Sequence, residues 1–266
     1  MASMTFWLWR NQERVVFQPP ADAPLAPQPA RRVEYPADDK HPLFGYVVSA
    51  TSSDASIVVI AFHGNADLAA WTVPWAAELA ERAGVTVFLP EYRGYAGIPG
   101  TPTYATAASD AVGALRFAER ELKPKRLVFF GHSLGTAIAA ELALAMPQSK
   151  VEALVLQSPF TSAKEMAVRM LMPPLPRLWE SISRVQYDTR AVVAKLDVRV
   201  SVSHGTRDLT IPARMGRSVF AAARRPGHLL LVEGAGHNDV AEVGGEAYWQ
   251  WLVGAVKGAV KSAPTY

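Results

Sequence analysis

Residues 127–135 read Leu-Val-Phe-Phe-Gly-His-Ser-Leu-Gly. The apolar run Leu127–Phe130 has the character of a buried strand, and the small-residue segment 136–146, TAIAAELALAM, reads as a helix. Between them lies G-x-S-x-G in the context that gives the motif meaning: strand, sharp turn, helix. On such a turn Ser133 is lifted clear of the sheet. Gly131 and Gly135 are required because a Cβ at either place would collide with the neighbouring strand and helix. The helix that follows aims its N-terminal N–H groups at the serine, which favours developing negative charge. Ser133 is therefore the candidate nucleophile.

A nucleophilic serine needs a base and a group to orient it. In folds with this elbow the order along the chain is serine, acid, histidine. Residues 198–203, VRVSVS, read as a strand that runs into His204-Gly205-Thr206-Arg207-Asp208. The short run LLLV, 229–232, runs into Glu233-Gly234-Ala235-Gly236-His237-Asn238-Asp239. Asp208 and His237 then both lie on loops after strands, and loops at the carboxyl ends of parallel strands converge in space. Of the six histidines, His132 lies inside the elbow and is expected to point away from the nucleophile. His63 and His204 begin H-G steps at strand ends, where a histidine more often satisfies buried backbone groups. His41 and His228 sit in polar or Gly/Pro contexts. Among the acids, Asp197 precedes a strand, Asp188 lies further upstream, and Asp239 follows the histidine and breaks the order. The alternative for Asp208 is a turn-forming aspartate.

The apolar run 57–62, IVVIAF, has the pattern of a strand covered on both faces. It ends in His63-Gly64-Asn65-Ala66-Asp67. An oxyanion hole of this type uses the N–H after the nucleophile and one from the loop after an earlier strand. These are the backbone N–H groups of Leu134 and Asn65.

The motifs H-G-N-A-D at 63–67, Y-R-G-Y at 92–95, G-H-S-L-G at 131–135, S-P-F-T-S at 158–162, H-G-T-R-D at 204–208 and G-A-G-H-N-D at 234–239 follow in one order. Over residues 30 to 255 the chain resembles the α/β-hydrolase-fold serine hydrolases, and within them an HGNA-type branch that includes protein depalmitoylases and monoacylglycerol or lysophospholipid lipases. The branch usually reads Y-R-G-Y-G-x-S-x-G, where this chain has Ala96 and Ile98. The resemblance implies hydrolysis of an ester or thioester, without a cofactor, on a small-molecule acyl substrate. The loop that holds Ile98 is expected to border the acyl pocket, with Phe160, Met166, Met170 and Leu175 beside it; for the residues in 161–190 the alternative is ordinary core packing by a broken helix pair.

Alternation along the chain predicts an α/β fold. Strands are expected near 31–35, 43–50, 57–62, 85–89, 126–130, 151–156, 198–203 and 228–232, and helices near 68–83, 104–121, 134–146, 211–224 and 241–260. This is a mostly parallel eight-stranded sheet with helices on both faces. The first two strands have no helix between them and should form an antiparallel edge. Residues 1–30 are expected to be an apolar stub followed by a Pro-rich extended segment, and 31–266 one hydrolase domain. Within that domain, 161–190 is expected to be a short apolar lid, broken by Pro173, Pro174 and Pro176. A short lid predicts an open site for small to medium acyl chains. The apolar stretch Met4–Trp9 is too short to span a bilayer and lacks the features of a signal peptide. It reads either as an interfacial membrane contact or as a segment packed on the body, which favours a cytoplasmic or peripherally membrane-associated protein.

Half of the 266 residues are hydrophobic, enough for a large core, and there is no cysteine, which excludes disulfides and a thiol nucleophile. The net charge of +3 is spread along the chain, without the basic stripe of a nucleic-acid binder. No metal-binding spacing, phosphate loop or dinucleotide fingerprint is present. Other readings of the same triad are a peptidase or amidase, and a catalytically silent binding scaffold.

Overall fold

The computed structural model describes residues 2–22, 24–25, 27–50, 56–147, 150–170 and 183–258. The expected eight strands are all present: β1 (Arg31–Pro36), β2 (Pro42–Ser49), β3 (Ile57–Phe62), β4 (Thr86–Pro90), β5 (Arg126–His132), β6 (Val151–Gln157), β7 (Arg199–Gly205) and β8 (Arg225–Val232). They form one sheet in the order β1-β2-β4-β3-β5-β6-β7-β8. The β1–β2 and β2–β4 pairs are antiparallel, and every other pair is parallel. Every residue of β3 and β4 is buried, as continuous apolar runs between two helical layers require.

The helices are α1 (Ala2–Val16), α2 (Val73–Ala83), α3 (Tyr104–Phe117), α4 (Leu134–Ala145), α5 (Ala163–Met170), α6 (Thr189–Val193), α7 (Ala213–Ala221) and α8 (Val240–Lys257). Helices α2 and α8 pack together on one face of the sheet; α3, α4, α6 and α7 cover the other. Boundaries follow local chemistry. Thr103 caps α3 by accepting from Thr106 N, and the Thr106 hydroxyl returns a bond from Thr103 N. Gly84, left-handed at φ 64°, ends α2.

Two expected segments can be set against the structure. The N-terminal stub is instead the first fifteen-residue helix, α1. Its end is written in the sequence by Pro19 and Pro20, which cannot continue a helix. The expected lid is described in part. Helix α5 opens it, residues 183–188 and α6 close it, and 171–182, including Leu175, lie outside the described residues.

Candidate active site

Strand β3 sits between β4 and β5, so the chain crosses the sheet at this point and the loops after β3 and β5 flank one crevice. Ser133 caps α4 with φ 51° and ψ −116°, a conformation that costs a non-glycine residue about 1–3 kcal/mol. Its surroundings enforce it. A Cβ on Gly131 would lie 2.3 Å from Gly135 O, and one on Gly135 would lie 2.1 Å from Phe62 O. The two glycines thus let α4 press onto β5 and β3, as the motif predicts. Ser133 N donates to Gln157 O at 3.0 Å, which ties the elbow to the end of β6.

The three sequence candidates meet here. His237 Nε2 lies 3.0 Å from Ser133 Oγ, and His237 Nδ1 lies 2.7 Å from Asp208 Oδ2. Since a carboxylate only accepts, Nδ1 carries the proton and Nε2 is free to accept from the serine hydroxyl. Asp208 is buried, which alone would raise its pKa. Hydrogen bonds from His204, His237 and Ile211 N instead hold the carboxyl well below the usual carboxylate range. Its other oxygen accepts from Thr210 N at 2.9 Å and Ile211 N at 2.7 Å. The aspartate is therefore ionised and fully engaged wherever the protein is folded near neutral pH.

Backbone contacts lock the loops that carry these groups. A Cβ on Gly205 would lie 2.2 Å from Gly236 O, and Arg207 N donates to Ala235 O at 2.8 Å. The carbonyl of His237 faces His132 Nε2 at 3.2 Å and Ser158 Oγ at 3.5 Å. Here the structure departs from the expectation that His132 points away. Its ring sits 5.2 Å from that of His237, and it lines the same cavity as Ser133. Burial, with the neighbouring His237, lowers its pKa to about 4, so it is a neutral donor at pH 7. His204 was expected to satisfy backbone, and its Nε2 does so at Ile211 O, 2.7 Å away. The same nitrogen also lies 3.2 Å from Asp208 Oδ2, a contact its spacing of four residues could have suggested.

The loop after β3 abuts the nucleophile: a Cβ on Gly64 would lie 3.0 Å from His132 Nδ1 and 3.4 Å from Ser133 Cβ. Asn65 Oδ1 accepts from Gln18 N at 2.8 Å and Tyr95 OH at 2.9 Å. Beneath the loop, His63 faces acceptors on both sides, Gly64 O from Nδ1 and Glu91 Oε1 from Nε2, each at 2.8 Å. Burial works against charge on this ring, but the Glu91 carboxylate outweighs it and raises the pKa. Glu91 also accepts from Ala69 N and Tyr92 N. Sequence reasoning missed Glu91, although a carboxylate directly after the apolar run of β4 was a signal.

Ser133 opens into an apolar cavity of about 400 Å³. Asn65, Leu134, Phe160 and Met166 all line it. Ile98 does not. The turn closed by Gly94 N to Ile98 O carries it to a separate groove beside Arg32, Leu43 and Phe44. That turn holds Ala96 at φ 47°, a left-handed residue where the branch pattern has glycine. Met170 is the last residue of α5, and its side chain and Leu175 lie outside the described residues. Unforeseen walls are Val15, Val16 and Gln18 at the end of α1, with Val185 and Tyr187. Tyr187 packs edge-on to Tyr104, whose hydroxyl donates to Glu141 Oε1 at 3.0 Å.

Burial raises the Glu141 carboxyl to about 7. Its folded pKa lies above the unfolded value, so its contribution to stability is greatest at low pH and is lost as pH rises through 7. Glu141→Gln keeps an acceptor for Tyr104 and removes the ionisation. Thermal melts from pH 5 to pH 8 should show the variant gaining on the wild type as pH rises; a constant difference would contradict this origin. Among the described residues no group of three or more His, Asp or Glu is placed to hold a metal ion.

A family model described as "Serine aminopeptidase, S33" matches residues 53–184. The uncharacterized protein Rv2307c of Mycobacterium tuberculosis is 33% identical over 249 residues, which is 90% of this chain and 84% of that protein. The chain belongs to the α/β-hydrolase family. The hydrolase is also 30% identical to human alpha/beta hydrolase domain-containing protein 17B, over 76% of this chain and 65% of the relative. Among solved structures it resembles the Pyrococcus furiosus esterase Pf2001, with TM-score 0.71, 17% identity, and coverage of 90% of this chain and 98% of that one. Ferulic acid-bound Est1E of Butyrivibrio proteoclasticus superposes with TM-score 0.69 at 16% identity, over 85% and 100% of the two chains. Both likenesses concern the fold.

Proposed function

We propose that this hydrolase cleaves carboxylic esters or thioesters of small to medium acyl chains through Ser133, His237 and Asp208. The supporting observation is the hydrogen-bonded line from Ser133 Oγ through His237 to Asp208, placed at the wall of an apolar cavity. His237 Nε2 takes the hydroxyl proton as Ser133 Oγ attacks the substrate carbonyl carbon. Asp208 stabilises the imidazolium that results. The backbone N–H groups of Leu134 and Asn65 receive the oxyanion, each worth a few kcal/mol when fixed in place. His237 returns its proton to the leaving oxygen or sulfur as the tetrahedral intermediate collapses to an acyl-enzyme. A water activated by the same nitrogen then releases the acid.

The cavity lies near the lower end of the roughly 300–1,000 Å³ usual for small-molecule sites, which supports shorter acyl chains. Placement in the branch with depalmitoylases and monoacylglycerol or lysophospholipid lipases draws support from the HGNA and G-H-S-L-G motifs. A peptidase or amidase remains the second reading. The match to a serine aminopeptidase family model supports it, and Asp67 at the cavity wall would meet a substrate amine. Hydrolysis of p-nitrophenyl esters from acetate to palmitate, beside a short acyl thioester and L-amino acid p-nitroanilides, separates these. Butyrate turned over faster than palmitate is the expected profile. The reverse order would remove the chain-length assignment, and activity confined to anilides would install the second reading.

A further inference from the structure

Helix α1 has two unlike faces. Towards the body it buries Gln12, which receives a hydrogen bond from Arg184 N, while Glu13 Oε2 accepts from Tyr104 N at 3.1 Å. Its end supplies Val15 and Val16 to the wall of the catalytic cavity. Away from the body, Phe6, Arg10 and Arg14 follow one another at four-residue spacing and so form a stripe, with Trp7 beside it. Phe6 and Trp7 are 60% and 56% exposed, and both arginines are exposed. Trp9, 44% exposed, flanks the stripe, held by the Arg184 guanidinium 5.2 Å over its ring and by Arg184 Nη2 on its carbonyl.

Neither Arg10 nor Arg14 makes a hydrogen bond or ion pair among the described residues, although like charges one turn apart disfavour the helix. A shallow groove beside them adds Arg184, Thr101 and Thr103. Among the described residues its one carboxylate, Glu13, is turned inward onto Tyr104. Aromatic rings at the level of unneutralised arginines match the interface of a bilayer, where rings sit among headgroups and arginines meet phosphate and anionic lipid. Among the described residues no helix is long and apolar enough to cross a membrane, so the contact is peripheral.

We propose that the Phe6–Trp7–Arg10–Arg14 face of α1 docks the protein on an anionic lipid surface, with the other face of the same helix walling the catalytic cavity. Docking is independent of the ester chemistry proposed above and is measured without substrate. Co-sedimentation with phosphatidylcholine vesicles, with and without phosphatidylglycerol, tests it. The wild type should pellet with the anionic vesicles and release at high salt. The Arg10→Ala/Arg14→Ala variant should partition roughly thirty-fold more weakly, as expected for two basic residues at a charged surface. Phe6→Ala/Trp7→Ala should weaken binding to both vesicle types. Circular dichroism and turnover of a soluble ester confirm that the variants fold. A wild type that stays in the supernatant, or an arginine variant that binds equally, overturns the proposal. So does light scattering that shows a dimer dissociated by Phe6→Ala/Trp7→Ala, because the face would then belong to a second copy of the chain.

Discussion

Ser133→Ala is expected to lower kcat/KM by at least about ten-thousand-fold for every substrate the wild type cleaves, with the melting temperature nearly unchanged. In the proposed mechanism the serine hydroxyl is the attacking group, and it lies 3.0 Å from His237 Nε2, the nitrogen proposed to take its proton. Alanine inherits the same backbone strain and leaves the Gln157 contact in place, since that bond comes from the main chain. Asp208→Asn should fall by a similar factor. Its amide can still accept from Thr210 and Ile211, but an –NH₂ facing His237 Nδ1 would force the wrong tautomer. Steady-state kinetics beside a fluorophosphonate label decides the matter. Retained labelling of Ser133→Ala, or activity within tenfold of wild type, would remove Ser133 as nucleophile.

The second large effect is on stability. Glu91→Ala should destabilise the fold by about 3–5 kcal/mol, because it strips a buried histidine of its carboxylate and orphans two backbone donors. That corresponds to a fall of roughly 10 °C in Tm for a chain of this size. The pH dependence has a definite sign. The pKa of His63 is raised in the folded protein, so the pair contributes fully below the unfolded histidine value and less as pH rises through the folded one. The loss in the variant should therefore be larger at pH 6 than at pH 8.5. Denaturation at the two pH values checks it, and an equal loss at both would mean that the ring is neutral in the native protein.

What the sequence showed and what it hid have physical causes. Strand β3 is a continuous apolar run and β5 and β6 carry apolar runs at their centres, Leu127–Phe130 and Ala153–Leu156, so their existence follows from hydrophobicity. Gly131 and Gly135 mark the elbow because backbone passes where a Cβ would stand. Asp208 and His237 could be singled out because each lies on a loop after a strand-like run, the alternating 198–203 and the apolar 229–232, and the order of strands brings the two loops side by side. The cavity walls were much harder to read. Ile98 looked like a pocket residue by motif, yet the turn at Gly94 sends it elsewhere. Val15, Val16 and Tyr187 reach the site through tertiary packing that no local period announces. The polar run Asn11–Arg14 hid a helix whose inward polar groups, buried Gln12 and half-buried Glu13, find partners across the fold in Arg184 N and Tyr104 N. His204 showed its backbone contact by context but not its hold on Asp208.

The locked contact between Gly205 and the carbonyl of Gly236 has a consequence for how such a protein can change. Main chain touching main chain positions Asp208 and His237, the proposed acid and base, relative to each other, so their spacing does not depend on which side chains surround them. Much of the substrate-facing wall comes from outside the sheet, from the end of α1 and from Phe160, α5 and Val185–Tyr187. Selection, or a designer grafting these segments from a relative, can redraw what the enzyme accepts while the reacting atoms stay in register. Reactivity and preference are thus inherited through separate parts of one chain.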